Sequence, residues 1–360
     1  MPASIDLSPT AVKDRVDARI RETLDATALA LAPAGAAGAE IIDVLAESSH
    51  GGKRLRALLT VASHAAHGGA ADAAAVSVAA ALEWFQTAAL IHDDVLDESD
   101  TRRGRPAAHR RFEEMLGDVA EAGTAPQLGR SAGVLAGDVA LMTSHRALDG
   151  ALVALADPRP VAELFASMAE LVTAGQYLDM RLAATPLADL AGQRESIMAT
   201  MRCKTASYSA EAPLALGAAV AGADATRIDA MKQVGVPLGI AFQLRDDVLG
   251  LIGAPEVTGK PAGDDVREGK RTLLLWHAWT SGSDAQRRAI HAALGRRDAD
   301  QAEVDDAVAA IVEAGGVAEA EHEIESLTQP ALTRLDSLEL EAAGAAVLRD
   351  LAERLTARAS

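Results

Sequence analysis

Apolar residues three and four apart, in segment after segment, constrain this chain more than any other feature. In "AVKDRVDARIRETLDATALALA" (residues 11–32) they recur at helical spacing, leaving one face oily and the other charged. Runs of Val, Ile and Thr alternating with polar residues, the mark of a half-buried strand, are hard to find, and only 2% of residues are aromatic. Breaks come at "SSHGG" near 50, "RRGRP" near 104, "DPRP" near 158, "TPLADLAG" near 188 and "AGGV" near 315. The pattern predicts an all-α fold of about a dozen helices with no sheet. With no fixed-period repeat, a solenoid is disfavoured.

The chain has 360 residues, 49% of them hydrophobic, enough for a sizeable core. No Ser/Pro-rich linker divides it, so one large domain is expected. A net charge of −18 argues against a nucleic-acid or anionic-membrane surface. Any anionic substrate must then be held by a local basic cluster or by metal ions. Cys203 stands alone, which excludes a disulfide framework and suits a reducing, cytoplasmic location. The N-terminal residues lack the layout of a secretory signal, and the uncharged run "APLALGAAVAGA" (212–223) is too short to span a bilayer.

Two helices carry an apolar course that ends in acid. One, 73–98, closes on "IHDDVLDE"; the other, 232–250, closes on "FQLRDDVLG". Helix C-termini disfavour negative charge, so the same local rule is broken twice. Asp93 and Asp97 are four apart and share a helical face, with Asp94 beside them. Asp246 and Asp247 form a second pair, with Gln243 three and four residues upstream. Oxygen-only ligands suit a hard cation such as Mg²⁺, which would also relieve the repulsion.

Basic residues supply the complement. Arg102 and Arg103 follow the first acidic run, and guanidinium forks match phosphate oxygens. "GGKRLR" (51–56) opens a helix in which Lys53 and Arg56, three apart, are expected on one face. "MRCKTASYSAEAP" contributes Lys204 and Thr205. "GAPEVTGKPAGDDVREGKRT", with Lys260 and Lys270, has the composition of a phosphate-covering lid or of an ordinary surface loop.

Taken in order, "GGKRLR", "HDDVLDESDTRRGRP", "KTASY", "FQLRDDVLG" and "GKPAGDDVREGKRT" resemble the motifs of the trans-isoprenyl diphosphate synthases, the polyprenyl synthetase family. The resemblance runs from about residue 45 onward; about 1–40 is less constrained. It implies one antiparallel helical bundle around a central cavity, spanning 1–360. The implied reaction is head-to-tail condensation of an allylic diphosphate with isopentenyl diphosphate in a cytoplasmic homodimer, without nucleic acid or stable membrane insertion. By this resemblance Asp93, Asp97 and Asp246 would hold Mg²⁺, three ions per site with substrate bound, and Asp94 and Asp247 would support the metal waters. Arg102, Lys204 and Lys260 would bind the allylic diphosphate, with Lys270 nearby. Lys53, Arg56, Gln86 and Arg103 would hold isopentenyl diphosphate, although the family often has histidine in place of Gln86. Thr205 and Gln243 would line the allylic cation. Gly250 departs from the family pattern, standing where a third aspartate is usual; Asp264 and Asp265 are candidates to compensate.

Product length is expected to be set on the helix before the first motif. Ala88 and Ala89, one turn back from the acids, are small, and in this family bulk there shortens the product. Trp84 and Phe85 lie a turn deeper. A floor at Phe85, eight residues from Asp93, would sit about 12 Å down the helix, which suits geranylgeranyl diphosphate (C20). Farnesyl or longer products remain alternatives, as does a non-catalytic subunit of a heteromeric synthase. A terpene cyclase would not need Lys53, Arg56 and Arg103. An HD-type phosphohydrolase would need His64 or His67 as a ligand beside His92-Asp93.

Overall fold

Alanine-rich periodicity becomes helix nearly everywhere in the computed structural model, which describes residues 5–70, 72–117, 121, 123–253 and 263–357. Among the described residues there is one small departure from the all-helical expectation. Thr101–Arg102 pairs antiparallel with Arg105–Pro106, forming a two-stranded ribbon, β1 and β2. Its turn residues, Arg103 and Gly104, have φ of 53° and 73°, the left-handed pair that a tight hairpin demands. Periodicity cannot reveal strands two residues long.

Contacts divide the chain into two compact units. The first comprises Met1–Ala162, Leu216–Asp224 and Leu340–Val347. Its helices are α1 (Pro9–Leu31), α2 (Ala36–Ser49), α3 (Leu55–Ala66), α4 (Ala73–Leu96), α5 (Ala108–Gly117) and α6 (Ala125–Leu152). Ser8 caps α1 by accepting from the Ala11 N–H, with Pro9 at the first helical position. The helix α4 is long and apolar enough to cross a membrane, which the 212–223 run is not. Yet 78% of its apolar window is buried, so it is a core helix. Gly129, Gly133 and Gly137 form a stripe along α6 that lets α4 and α5 approach. A Cβ there would lie 2.6 Å from the His109 carbonyl, 2.9 Å from Val95 and 2.2 Å from the His92 ring.

The second unit comprises Glu163–Ala215, Ala225–Glu339 and Leu348–Ser360. Helix α7 (Arg159–Ala183) enters it, followed by α8 (Arg194–Thr200), a π-helical stretch Met201–Glu211 and α9 (Ala212–Val220), which from Leu216 belongs to the first unit. Next come α10 (Ala225–Ile252), α11 (Asp264–Glu268), α12 (Leu273–Ser281), α13 (Asp284–Ala293), α14 (Gln301–Glu313), α15 (Gly316–Asp336) and α16 (Ala342–Thr356), which belongs to the first unit as far as Val347. The core joins Leu182, Ile197, Leu244, Val248, Leu274 and Ile311. Helix α10 continues through Pro237 and is longer at both ends than the 232–250 reading. On it Gly235 and Gly239, four apart, press against the π-helical stretch. Added Cβ atoms would meet the Glu211 and Ala206 Cα atoms, each at 2.5 Å. The next residue on that stripe is Gln243, and the one after it is Asp247.

Candidate active site

The first acidic end is a tight helix stop. The Asp97 N–H bonds the Asp93 carbonyl at 2.8 Å, Glu98 turns left-handed at φ 51°, and the Ser99 N–H returns to the Asp94 carbonyl at 2.9 Å. This 6→1 closure normally uses glycine at the left-handed position; a glutamate there is strained. It keeps all three aspartates on the last turn. Asp94 is 2% exposed and accepts from Arg102 through Nε at 2.9 Å and through Nη2. Arg102 Nη2 also reaches within 3.7 Å of the Asp93 carboxylate. The hairpin therefore returns a guanidinium onto the acids, so repulsion is relieved partly by the chain itself.

Beside this end lies a cavity of about 230 Å³ lined by Gly51, Gly52, Thr87, Asp94, Arg102 and Arg103, among others. Arg103 lies against the bare Cα of Gly52 and donates to the His50 carbonyl at 3.3 Å. Burial first, and then the neighbouring charge of Arg54, pull the Arg103 guanidinium below the ordinary arginine range; Glu83 pulls the other way. A cluster of like charges is a natural anion receptor.

The expected helical pairing of Lys53 with Arg56 does not form. The helix begins only at Leu55, because Arg54 sits left-handed at φ 53°. Lys53 is exposed and Arg56 is buried. Arg54, to which the sequence reading assigned nothing, is buried and holds three elements together. It donates to Asp17 at 2.8 Å, Glu83 at 3.0 Å and the Ser49 carbonyl at 2.8 Å. Gln86 and Ala89 are half-buried on α4, while Trp84, Phe85 and Ala88 are buried. Phe85 stands on the side of α4 nearer Asp93; nine residues of helix put Trp84 about half a turn away.

The second acidic end is built around the π-helical stretch, a widening often found at functional sites. Helix α7 touches it at Gly175, where a Cβ would lie 2.3 Å from the Lys204 nitrogen. Lys204 Nζ reaches Asp179 at 2.7 Å. The Thr205 hydroxyl donates to Gln243 Oε1 at 2.5 Å, and Gln243 Nε2 donates to Asp247 at 2.6 Å. Three residues expected in the site thus form one line. Asp246 is exposed, whereas Asp247 is 7% exposed. Burial, followed by the Asp265 charge, pushes the Asp247 carboxyl up to about 8, against the Gln243 hydrogen bond. Between Gln243 and Asp246, Arg245 clasps Glu321 at 2.5 and 2.8 Å.

Lys270 Nζ bonds Asp265 at 3.0 Å and Glu268 at 2.8 Å, close to Asp247. Lys260 lies outside the described residues. Asp179 and the placement of Asp265 escaped sequence reading because each acts through a contact distant along the chain.

Among the described residues, no three His, Cys, Asp or Glu side chains converge as a ready metal cluster. An ion that takes one or two carboxylates and completes its shell with water and phosphate does not require such a cluster. A buried carboxylate with an amide for its hydrogen-bond donor, as at Asp247, favours a cation beside it. Histidine does not fit that role. His92 Nε2 faces the Val134 carbonyl at 3.1 Å, His67 Nδ1 faces the Ser63 carbonyl at 2.8 Å, and His64 is buried against Gly69. The phosphohydrolase reading therefore loses its ligands.

The polyprenyl synthetase family matches residues 39–311. A geranylfarnesyl diphosphate synthase of Aeropyrum pernix is 35% identical over 75% of this chain and 79% of its own. A nonaprenyl diphosphate synthase of Mycobacterium tuberculosis is 35% identical over 75% and 72%. The crystal structure of a geranylgeranyl pyrophosphate synthase from Corynebacterium glutamicum, complexed with isoprenyl diphosphate and magnesium, superposes with a TM-score of 0.89. It is 36% identical and covers 99% of this chain and 100% of its own. The family match over most of the chain, these relatives and the helical architecture they share lead to one conclusion: the chain belongs to the polyprenyl synthetase family and is a prenyl diphosphate synthase.

Proposed function

We infer that this synthase is a Mg²⁺-dependent, head-to-tail prenyltransferase whose main product is all-trans geranylgeranyl diphosphate. The carrying observation is the surface of α4: Ala88 and Ala89 one turn back from Asp93, then buried Phe85 two turns back, about 12 Å away. The similar Corynebacterium protein is named for the same product, whereas the Aeropyrum and Mycobacterium relatives are named for longer ones.

Asp93, Asp97 and Asp246 would hold Mg²⁺, with Asp94 and Asp247 behind them; the similar Corynebacterium protein was crystallised with isoprenyl diphosphate and magnesium. When bound, the ions supply charge stabilisation for the departing diphosphate. Arg102, Lys204 and Lys260 hold that diphosphate, with Lys270 supporting the same region. The allylic C–O bond breaks with its electron pair going to the diphosphate. Thr205 and Gln243 present their dipoles to the allylic cation. Lys53, Arg56, Gln86 and Arg103 hold isopentenyl diphosphate, whose double bond supplies the electrons of the new C–C bond. A proton is then lost from its C2 to the released pyrophosphate.

The full chain acts as one synthase domain in the cytoplasm, where a lone thiol is safe from oxidation. A second copy covers the exposed stripe Leu128, Leu135 and Met142, spaced by seven along α6. Sedimentation at micromolar concentration decides between one copy and two. Product analysis with Mg²⁺, isopentenyl diphosphate and C5, C10 or C15 primers tests the reaction. C20 should dominate, and Phe85→Ala should shift it upward by at least one C5 unit. An unchanged product from Phe85→Ala would sink the floor assignment.

A further inference from the structure

The second acidic motif ends in Gly250, where a third aspartate is usual in the family, and the space is not left empty. An ideal Cβ on Gly250 would lie 2.3 Å from Asp265 Oδ2, 3.0 Å from its Cγ and 3.4 Å from Oδ1. A carboxylate thus occupies the volume of the missing side chain, delivered from fifteen residues later in the chain. Its position is held by three further contacts. The Gly263 N–H bonds the Gly250 carbonyl at 3.3 Å, the Lys270 N–H bonds the Asp265 carbonyl at 3.0 Å, and Lys270 Nζ grips Asp265 Oδ1 at 3.0 Å. Left-handed glycines at 263 and 269, φ 77° and 74°, bracket the short helix α11 that carries Asp265. Asp265 also acts electrostatically on Asp247, so the two carboxylates share one neighbourhood.

We propose that Gly250 and Asp265 form one mutually exclusive pair: the glycine admits the Asp265 carboxylate, which serves as the third acid of the second motif. Gly250 is then a positioning residue, not a degraded one. Restoring the usual aspartate at 250 harms the protein, because two carboxylates compete for one space. The alternative that the glycine simply weakens the motif predicts the opposite sign. This inference rests on the magnesium reading above.

The test is a four-member cycle of wild type, Gly250→Asp, Asp265→Ala and the double variant, read by two measurements. The first is binding of Mn²⁺ with inorganic pyrophosphate, followed by electron paramagnetic resonance. The second is the melting temperature of the metal-free protein. Gly250→Asp and Asp265→Ala should each weaken Mn²⁺–pyrophosphate binding about tenfold, by loss of one well-placed carboxylate. The double variant should return to within about threefold of wild type. Gly250→Asp should also melt several degrees lower than wild type, and removing the Asp265 carboxylate should recover most of that loss. Gly250→Ala, which adds only the offending Cβ, replaces Gly250→Asp in the thermal cycle if the latter fails to fold. Wild-type affinity in Gly250→Asp, or a double variant no better than Gly250→Asp, would overturn the exclusive pair while leaving the magnesium reading intact. Failure of the wild type itself to bind Mn²⁺–pyrophosphate would overturn the magnesium reading and Asp265's part in it. The melting temperatures would then judge the steric pairing alone.

Discussion

Asp93–Leu96 and Asp246–Leu249 are the same tetrapeptide, Asp-Asp-Val-Leu, at the ends of two long helices. In both, the second aspartate is buried: Asp94 at 2% exposure and Asp247 at 7%. Their surroundings differ in charge. Asp94 receives the Arg102 guanidinium from a hairpin immediately downstream. Asp247 receives a neutral amide from Gln243 and lies beside the acid Asp265, and its carboxyl is pushed up to about 8. An identical local sequence therefore yields a self-compensated end and an end that favours an external cation. Tertiary neighbours set this difference, since the four residues themselves are the same.

The comparison breaks most sharply at the leading acids, half-buried Asp93 and exposed Asp246. Asp93→Ala and Asp246→Ala should each lower kcat by on the order of 10³ or more, the scale for losing a group that stabilises the leaving charge. Steady-state kinetics at saturating substrate would check this. Near-normal turnover in either variant would mean that the two ends do not share one reaction.

Removing charge at the buried acids should give opposite signs. Asp94→Asn removes the buried carboxylate that Arg102 grips and should destabilise the protein by roughly 2–3 kcal/mol, below the fully buried value because Arg102 is partly exposed. Asp247→Asn replaces a carboxyl that must take up a proton to stay buried at pH 7, and should stabilise the metal-free protein by roughly 1–3 kcal/mol while abolishing most activity. Urea unfolding at pH 7 without metal separates the two. Shifts of the same sign would refute the contrast.

The glycine stripes sharpen the comparison through packing. Gly239→Ala presses on backbone at Ala206 and should cost about 2–3 kcal/mol, with lower kcat because Gln243 moves away from Thr205. Gly133→Ala meets side-chain carbons of His109 and Val95 at 2.9 Å and should cost about 1 kcal/mol, with kcat nearly intact. Thermal melts with parallel kinetics would show whether that ranking holds.

The smallest effect concerns pH, and here the two units should agree. Burial, above all, lowers both His109 and His277 below the usual histidine value of 6.5. Each stays neutral when folded, whereas the unfolded chain takes up protons below about pH 6.5. Their contribution to stability is therefore present above that pH and is lost as pH falls through it. Melting temperatures between pH 7.5 and 5 should decline less steeply in a His109→Gln, His277→Gln variant. An unaltered slope would assign the acid sensitivity to other groups.

Much of the candidate site was legible because its residues are concentrated in short motifs. The paired aspartates, Arg102, Arg103 and Lys204 announce themselves by type and spacing, and helical periodicity announces the elements that carry them. Reading stopped where a residue acts across the fold. Lys53 and Arg56 look helical by spacing, yet a left-handed Arg54 starts the helix later, held by Asp17 and Glu83 from distant segments. Nothing local distinguishes 201–211 from an ordinary α-helix, because the π-helical widening accompanies packing against Gly175, Gly235 and Gly239.

By itself, the sequence determined the helical class, the two acidic helix ends and the family to which they belong. These follow from periodicity and residue type, which are properties of neighbours along the chain. Only the tertiary structure decided which aspartate meets an arginine and which an amide, and that the gap at Gly250 is filled by Asp265. Charge compensation and steric exclusion depend on distance in space, and distance along the chain does not encode them.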